Sequence, residues 1–265
     1  MSTATASPSL IGVFDSGVGG LTVLDALRRR LPQARLVYVG DVAYAPYGER
    51  DPSYVVQRCH RIVAHLAALG ARVIVVACNT ATVITIEDLR RSWPDLCFVG
   101  VEPGVKPAAV RTANRRIAVM ATPTTAASAR LRHLIAEFAQ GVHVQVQPCP
   151  GLVALIERGV LDGSTLQDTL APLCADLRTA GVDTVVLGCT HYPFVAEAIQ
   201  AALGSHVALI DTATAVAERV AQVNCGGDAP APQLRVISTG HSTAMALLLP
   251  RCRHLEQVEI EQASI

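Results

Sequence analysis

Lysine is nearly missing from this chain. Of 22 basic residues among 265, 21 are arginine and the single lysine is Lys106. Pyridoxal phosphate chemistry needs a Schiff-base lysine. Lys106 stands in Val101-Glu102-Pro103-Gly104-Val105-Lys106-Pro107, a turn with no phosphate-cradling glycine pattern nearby, and reads as a helix-entry residue. An excess of one charge is missing too: 22 acidic residues balance the 22 basic ones, and no basic run marks a nucleic-acid surface. No uninterrupted apolar segment is long enough to cross a bilayer. The opening Met1-Ser2-Thr3-Ala4-Thr5-Ala6-Ser7-Pro8 lacks the basic start and apolar stretch of a secretory signal, so a cytoplasmic protein without membrane association is expected. No Cys-x-x-Cys pair occurs, and the eight cysteines are scattered singly, which predicts reduced thiols rather than a disulfide framework. Cys59, Cys97, Cys149, Cys174, Cys225 and Cys252 read as packing residues, since free cysteine behaves as a small buried hydrophobe.

The other two cysteines stand apart. Val73-Ile74-Val75-Val76-Ala77-Cys78-Asn79-Thr80 and Thr184-Val185-Val186-Leu187-Gly188-Cys189-Thr190-His191 each end an apolar run in a cysteine followed by small polar residues. Such runs read as strands of a parallel sheet buried on both faces, which puts each thiol at a carboxyl end, where open α/β sheets bind ligands. The echo continues outward. Ile11-Gly12-Val13-Phe14-Asp15-Ser16 is answered by Ile117-Ala118-Val119-Met120-Ala121-Thr122, Gly70-Ala71-Arg72 by Gly181-Val182-Asp183, and Gly100-Val101-Glu102-Pro103 loosely by Leu209-Ile210-Asp211-Thr212. The spacing drifts by only a few residues, as loop insertions in an internal duplication would produce.

Val/Ile/Leu-rich runs alternate with Ala/Leu/Arg-rich segments of helical period, the signature of repeated βα units. Strands are expected near 10–14, 35–40, 72–77, 97–101, 116–121, 142–147, 183–187, 206–210 and 234–238. Helices are expected over 20–31, 52–69, 80–92, 104–113, 124–139, 164–180, 193–203, 212–223 and 241–249, with a turn-rich loop at 224–232. The predicted class is α/β: two similar lobes with mainly parallel sheets, related by a pseudo-twofold axis, with the active site in the cleft between them. Residues 1–100 plus 211–265 would form the N-terminal lobe and 101–210 the second.

Several chemistries could use the loops after these strands. Asp15-Ser16-Gly17-Val18-Gly19-Gly20 resembles an anion cradle but lacks the third glycine of the dinucleotide fingerprint and the Gly-Lys-Ser/Thr ending of a P-loop. Cys78, Cys189 and His191 could ligate zinc, against the usual ligand spacing. Cys78 as nucleophile with His191 as base would make a cysteine hydrolase and leave Cys189 idle. A duplicated cleft gives both thiols a task. Inverting a stereocentre by proton transfer needs a base on one face of the carbon and an acid on the other, and thiols with an ordinary pKa of about 8.5 reach both forms near neutral pH.

Gly12-Val13-Phe14-Asp15-Ser16-Gly17-Val18-Gly19-Gly20-Leu21-Thr22-Val23, Pro46-Tyr47-Gly48, Ala77-Cys78-Asn79-Thr80 and Leu187-Gly188-Cys189-Thr190-His191-Tyr192-Pro193 resemble, in order and spacing, the motifs of the glutamate racemase family within the aspartate/glutamate racemase superfamily. The resemblance runs from residue 10 to about 220. It implies an enzyme, independent of cofactor and metal, that interconverts L- and D-glutamate and supplies the D-isomer to peptidoglycan synthesis. By the family pattern Cys189 deprotonates the L-isomer and Cys78 the D-isomer, with Asp15 and His191 assisting and Glu157 beside the second cysteine. Substrate contacts carried over are Asp15, Ser16, Tyr47, Gly48, Asn79, Thr80, Thr122, Thr125, Thr190 and His191. Pro123 departs from the usual pattern there and leaves Thr124 and Thr125 as rival contacts.

Duller roles compete for some of these residues. Asp15, Ser16 and Thr80 could be helix N-caps, and Tyr47 a buried aromatic with its hydroxyl satisfied. Other functions left open are racemisation of aspartate or another amino acid, and a non-catalytic binding role such as gyrase inhibition. A homodimer is also an option.

Overall fold

The computed structural model describes residues 10–224, 232–241, 243–255 and 258–265. The chain divides into two compact units, Met1–Val101 together with Ala213–Ile265, and Glu102–Thr212.

In the first unit the strands are β1 (Leu10–Asp15), β2 (Arg35–Gly40), β3 (Ala71–Val76) and β4 (Cys97–Gly100). In the second they are β5 (Arg116–Ala121), β6 (His143–Pro148), β7 (Thr184–Leu187) and β8 (Ala208–Ile210); β9 (Gln233–Ser238) and β10 (Ile260–Gln262) return to the first. The first sheet has the order β10-β9-β2-β1-β3-β4 and the second β6-β5-β7-β8, with every pairing parallel. The run β2-β1-β3-β4 is thus repeated as β6-β5-β7-β8. The repeat reaches single hydrogen bonds: Ala77 N–H donates to the Phe14 carbonyl at 2.7 Å and Gly188 N–H to that of Met120 at 2.8 Å. The residue after each of these donors is one of the two singled-out cysteines.

Helices connect the strands: α1 (Leu21–Arg30), α2 (Pro52–Ala68), α3 (Asn79–Ser92), α4 (Val105–Arg111), α5 (Pro123–Ala126), α6 (Ala129–Phe138), α7 (Leu152–Glu157), α8 (Gly163–Thr179), α9 (Ala196–Leu203), α10 (Ala213–Val223) and α11 (Thr243–Leu248). The period that predicts them also packs them. α1 buries Leu21, Val23, Leu24, Ala26 and Leu27 and ends on Arg28, Arg29 and Arg30, cations suited to a helix C-terminus. α2 starts where the Asp51 side chain accepts from Ser53 N–H with proline in the first turn, and it buries Val55, Arg58, Cys59, Ile62, Val63 and Leu66. That face packs with Phe14, Val37, Val39, Ile74 and Val76 into the core of the first unit, each large aliphatic side chain contributing about 1.5–3 kcal/mol by burial. A second core, built on Ile117, Val119, Leu131, Leu134 and Val186, fills the other unit.

The expected helix over 124–139 is broken into α5 and α6, because Ser128 stops one and caps the other by accepting from Leu131 N–H at 3.1 Å. α7 was not anticipated: six residues are too few to display a 3.6-residue period. Nor was β10, whose Glu261 and Gln262 are exposed, as an edge strand allows. The expected packing role of Cys97 is wrong, because it opens β4 with its side chain exposed. Cys225 and most of the expected 224–232 loop lie outside the described residues, as does Ser242 of the expected 241–249 helix. No described helix is long and apolar enough to cross a membrane.

Candidate active site

The first unit gathers its polar residues where β1, β2 and β3 end. Asp15 closes β1, is fully buried, and accepts from Gly17 N–H at 2.8 Å. Leu21 and Thr22 N–H turn back to the carbonyls of Val18 and Gly19, so these donors of the glycine-rich turn serve the turn rather than an anion. Gly20 is required by close approach: a Cβ there would lie 2.7 Å from the Asp15 Cβ. The N-cap of α1 is Gly20 and that of α3 is Cys78, so the capping roles considered for Asp15, Ser16 and Thr80 fall to other residues. Cys78 Sγ accepts from Ala81 N–H at 3.4 Å, and the thiol lies 3.6 Å from Ser16 Oγ, to which it donates. A sulfur facing the first N–H groups of a helix is well placed to carry negative charge. Asn79 and Thr80, in the first turn, are buried beside it. Among the described residues, none partners Asn79 Nδ2 in a hydrogen bond. A buried donor left unmatched costs about 1–3 kcal/mol, so this site is built for an acceptor that a ligand could bring.

Tyr47 is buried too, and its hydroxyl donates to Asp41 Oδ2. Asp41 is held from the other side by Arg58 of α2, with Nε 3.0 Å from Oδ2 and Nη2 2.7 Å from Oδ1. The Tyr44 ring lies under the guanidinium, 3.6 Å from its carbon, and the remaining nitrogen, Nη1, donates to the Ile265 carbonyl at 2.7 Å. Burial, chiefly, with the Asp41 charge adding to it, pushes the Tyr47 hydroxyl well above its ordinary value.

In the second unit Cys189 follows β7 and is buried, with His191 Nδ1 3.7 Å from its sulfur. The other ring nitrogen of His191 meets Glu157 Oε1, at the end of α7, at 2.6 Å. Thiol, imidazole and carboxylate thus form a line, the arrangement in which a carboxylate orients a histidine that assists a sulfur. Burial by itself would lower the His191 pKa, but its hydrogen bonds to Cys189 and Glu157 hold it well above the usual histidine value. Thr122 caps α5, accepting from Thr125 N–H at 3.3 Å, and its hydroxyl donates to that of Thr125 at 3.1 Å. Thr125 is fully buried and Thr124 is half-buried. Thr190 is buried next to Cys189.

The titration of His191 offers a direct check. It stays protonated above pH 6.5, the region of about 6.5 where an ordinary histidine loses its proton. A raised folded-state pKa means that the stability from this pairing is fully present below the unfolded value and lost as pH rises through the folded one. Glu157→Gln moves the titration to lower pH, read by ring-nitrogen NMR. Identical curves for the two proteins would show that Glu157 does not set the charge on His191.

Burial accounts for the remaining buried thiols. Desolvation pushes Cys59, Cys149 and Cys252 up to about 12 and Cys174 up to about 11, as packing cysteines require. Among the described residues, no group of three or more His, Cys, Asp or Glu is placed to hold a metal ion.

Comparison with known proteins identifies the setting of these groups. The family model for Asp/Glu/hydantoin racemases matches residues 21–220. The chain belongs to this racemase family. Within it, a glutamate racemase of Pseudomonas putida (strain W619) is 44% identical over 91% of this chain and 92% of its own length. One from Roseiflexus sp. (strain RS-1) is 47% identical over 84% of this chain and 81% of its own. Among solved structures, Escherichia coli glutamate racemase, in complex with L-glutamate and the activator UDP-MurNAc-ala, superposes with a TM-score of 0.85 at 31% identity, covering 97% of this chain and 98% of that one. A Bacillus anthracis glutamate racemase isoform gives 0.86 at 29% identity, covering 96% and 97%.

For this racemase chain, the sequence places Asp41 and Tyr44 in a polar loop after the second strand without a role for either, and gives Arg58 none. One signal was available: Arg58 interrupts the apolar stripe Val55, Cys59, Ile62, Val63 and Leu66, and an arginine on a core face needs a buried partner.

Proposed function

We propose that this chain is a cytoplasmic glutamate racemase that needs no cofactor and moves the α-proton with two cysteines, its D-glutamate serving peptidoglycan synthesis. The observation that carries the reading is the equivalence of Cys78 and Cys189, each one residue beyond the same hydrogen bond in a repeated four-strand order. The glutamate racemases to which the chain is similar support the choice of substrate.

In the forward direction the Cys189 thiolate removes the α-proton of L-glutamate while the Cys78 thiol delivers its own proton to the opposite face. The products are D-glutamate, a Cys189 thiol and a Cys78 thiolate, and the reverse direction exchanges the roles. Protons then redistribute through solvent, and no electron leaves the substrate. His191, oriented by Glu157, supplies positive charge beside Cys189; Asp15 and Ser16 serve Cys78. The substrate is held by Asp15, Ser16, Tyr47, Gly48, Asn79, Thr80, Thr122, Thr125, Thr190 and His191, with Asn79 Nδ2 offered to a carboxylate oxygen. Fixed donors of this kind lower the cost of negative charge developing next to the α-carbon.

The test is incubation with either enantiomer of glutamate in heavy water. Both should approach an equal mixture labelled at the α-carbon. Aspartate racemised while glutamate stays untouched would move the chain to a sibling activity, and no turnover of either amino acid would overturn the reading.

A further inference from the structure

Arg58 sits where a hydrophobic side chain belongs, and all three of its guanidinium nitrogens are spent. Two hold the Asp41 carboxylate as a fork and the third holds the main chain at Ile265. Asp41 is fully buried, and Arg58, always charged, supplies its counter-charge. The single proton of the Tyr47 hydroxyl goes to the same Asp41 oxygen that Arg58 Nε touches. What Tyr47 can still offer is therefore the lone pairs of its oxygen. Tyr47 shares its apolar cluster with Cys78 and Cys59.

We propose that Arg58 is a positioning residue for racemisation: through Asp41 it fixes the Tyr47 hydroxyl as an acceptor, suited to the substrate's ammonium group rather than to either carboxylate, and Ile265 holds Arg58 in that pose. The inference rests on the racemase reading and on Tyr47 contacting substrate. The chemistry requires the fork. An ionised carboxylate only accepts, so the Tyr47 proton has one place to go. Without the arginine the carboxylate loses the fork that fixes its plane and oxygens, and the tyrosine hydroxyl is free to turn. A lysine supplies a point charge but cannot span both oxygens and the Ile265 carbonyl. The segment carrying β10 would thus contribute to substrate binding while touching no substrate.

The experiment measures kcat and KM for both enantiomers of glutamate in the wild type, in Arg58→Lys and Asp41→Asn read in parallel, and in each combined with Tyr47→Phe. Both single variants should raise KM about tenfold and change kcat by less than about twofold, as expected when a uniform binding contact is lost. That rise should vanish in the Tyr47→Phe background, because only coupled residues depart from additivity. A lower melting temperature is expected on either reading of this buried pair, whereas a merely structural role would add to the effect of Tyr47→Phe instead of vanishing with it. Unchanged KM in a folded variant, or additivity with Tyr47→Phe, overturns the proposal while leaving the racemase reading intact if the wild type turns over glutamate. A wild type that does not racemise glutamate overturns both.

Discussion

Cys78→Ala and Cys189→Ala should each slow glutamate racemisation by about 10²- to 10⁴-fold, the range for loss of one positioned acid or base. Inversion needs a proton removed from one face and returned to the other, so a single remaining thiol can only break and remake a bond on its own side. The more telling readout is therefore exchange rather than turnover. On the proposed assignment, Cys78→Ala in heavy water should label L-glutamate without inverting it, and Cys189→Ala should label only the D-isomer. Serine in place of either cysteine keeps the shape and loses most of the rate, because a hydroxyl is a far weaker acid than a thiol. Wild-type rates in either alanine variant, or labelling of the wrong enantiomer, would sink the two-thiol assignment. The helix cap that Cys78 makes through Ala81 N–H adds a small stability cost to its loss, about 1 kcal/mol for caps in general.

The second large effect is on stability. Asp41→Ala should destabilise the protein by about 3–5 kcal/mol, the cost of removing one partner from a buried ion pair. Arg58 is as hidden as its partner, with side-chain exposures of 4% and 0%, so water cannot replace the lost carboxylate. Its stacking on Tyr44 and its bond to Ile265 O persist but engage only Nη1 and the face of the ring, leaving Nε and Nη2 without their acceptor. Asp41→Asn, which keeps two polar atoms in place, should lose less. Urea unfolding measures both, and a midpoint for Asp41→Ala within error of the wild type would show that the pair contributes nothing net. By contrast, breaking the exposed Arg30–Glu218 pair, whose side chains are 47% and 50% exposed, should cost at most about 1 kcal/mol.

How far the sequence reached follows from the range of each interaction. Most of the nine expected strands were legible because a buried parallel strand writes itself as a run of Val, Ile and Leu, β6 by its alternation of Val and Gln instead, and the helices because their apolar faces repeat every three to four residues. The two thiols were legible for the same reason, since each ends such a run. β10 and α7 were not, being too short for any period to develop, and the break at Ser128 depends on one capping hydrogen bond. Resemblance pointed to Glu157 and His191, yet the 2.6 Å contact between them exists only because α7 and the turn after β7 come together.

By itself, then, the sequence determined the α/β class and the candidate thiols, recorded in patterns of ten or so neighbouring residues, and the internal duplication, recorded as the recurrence of such patterns in the second half. Tertiary structure alone decided that Asp41 is shared between Tyr47 and Arg58, that Ile265 closes that cluster, and that Glu157 orients His191. The Asp41 cluster joins the loop after β2 to α2, and the Glu157–His191 and Arg58–Ile265 contacts span 34 and 207 residues, separations at which side chains meet only once the chain has folded.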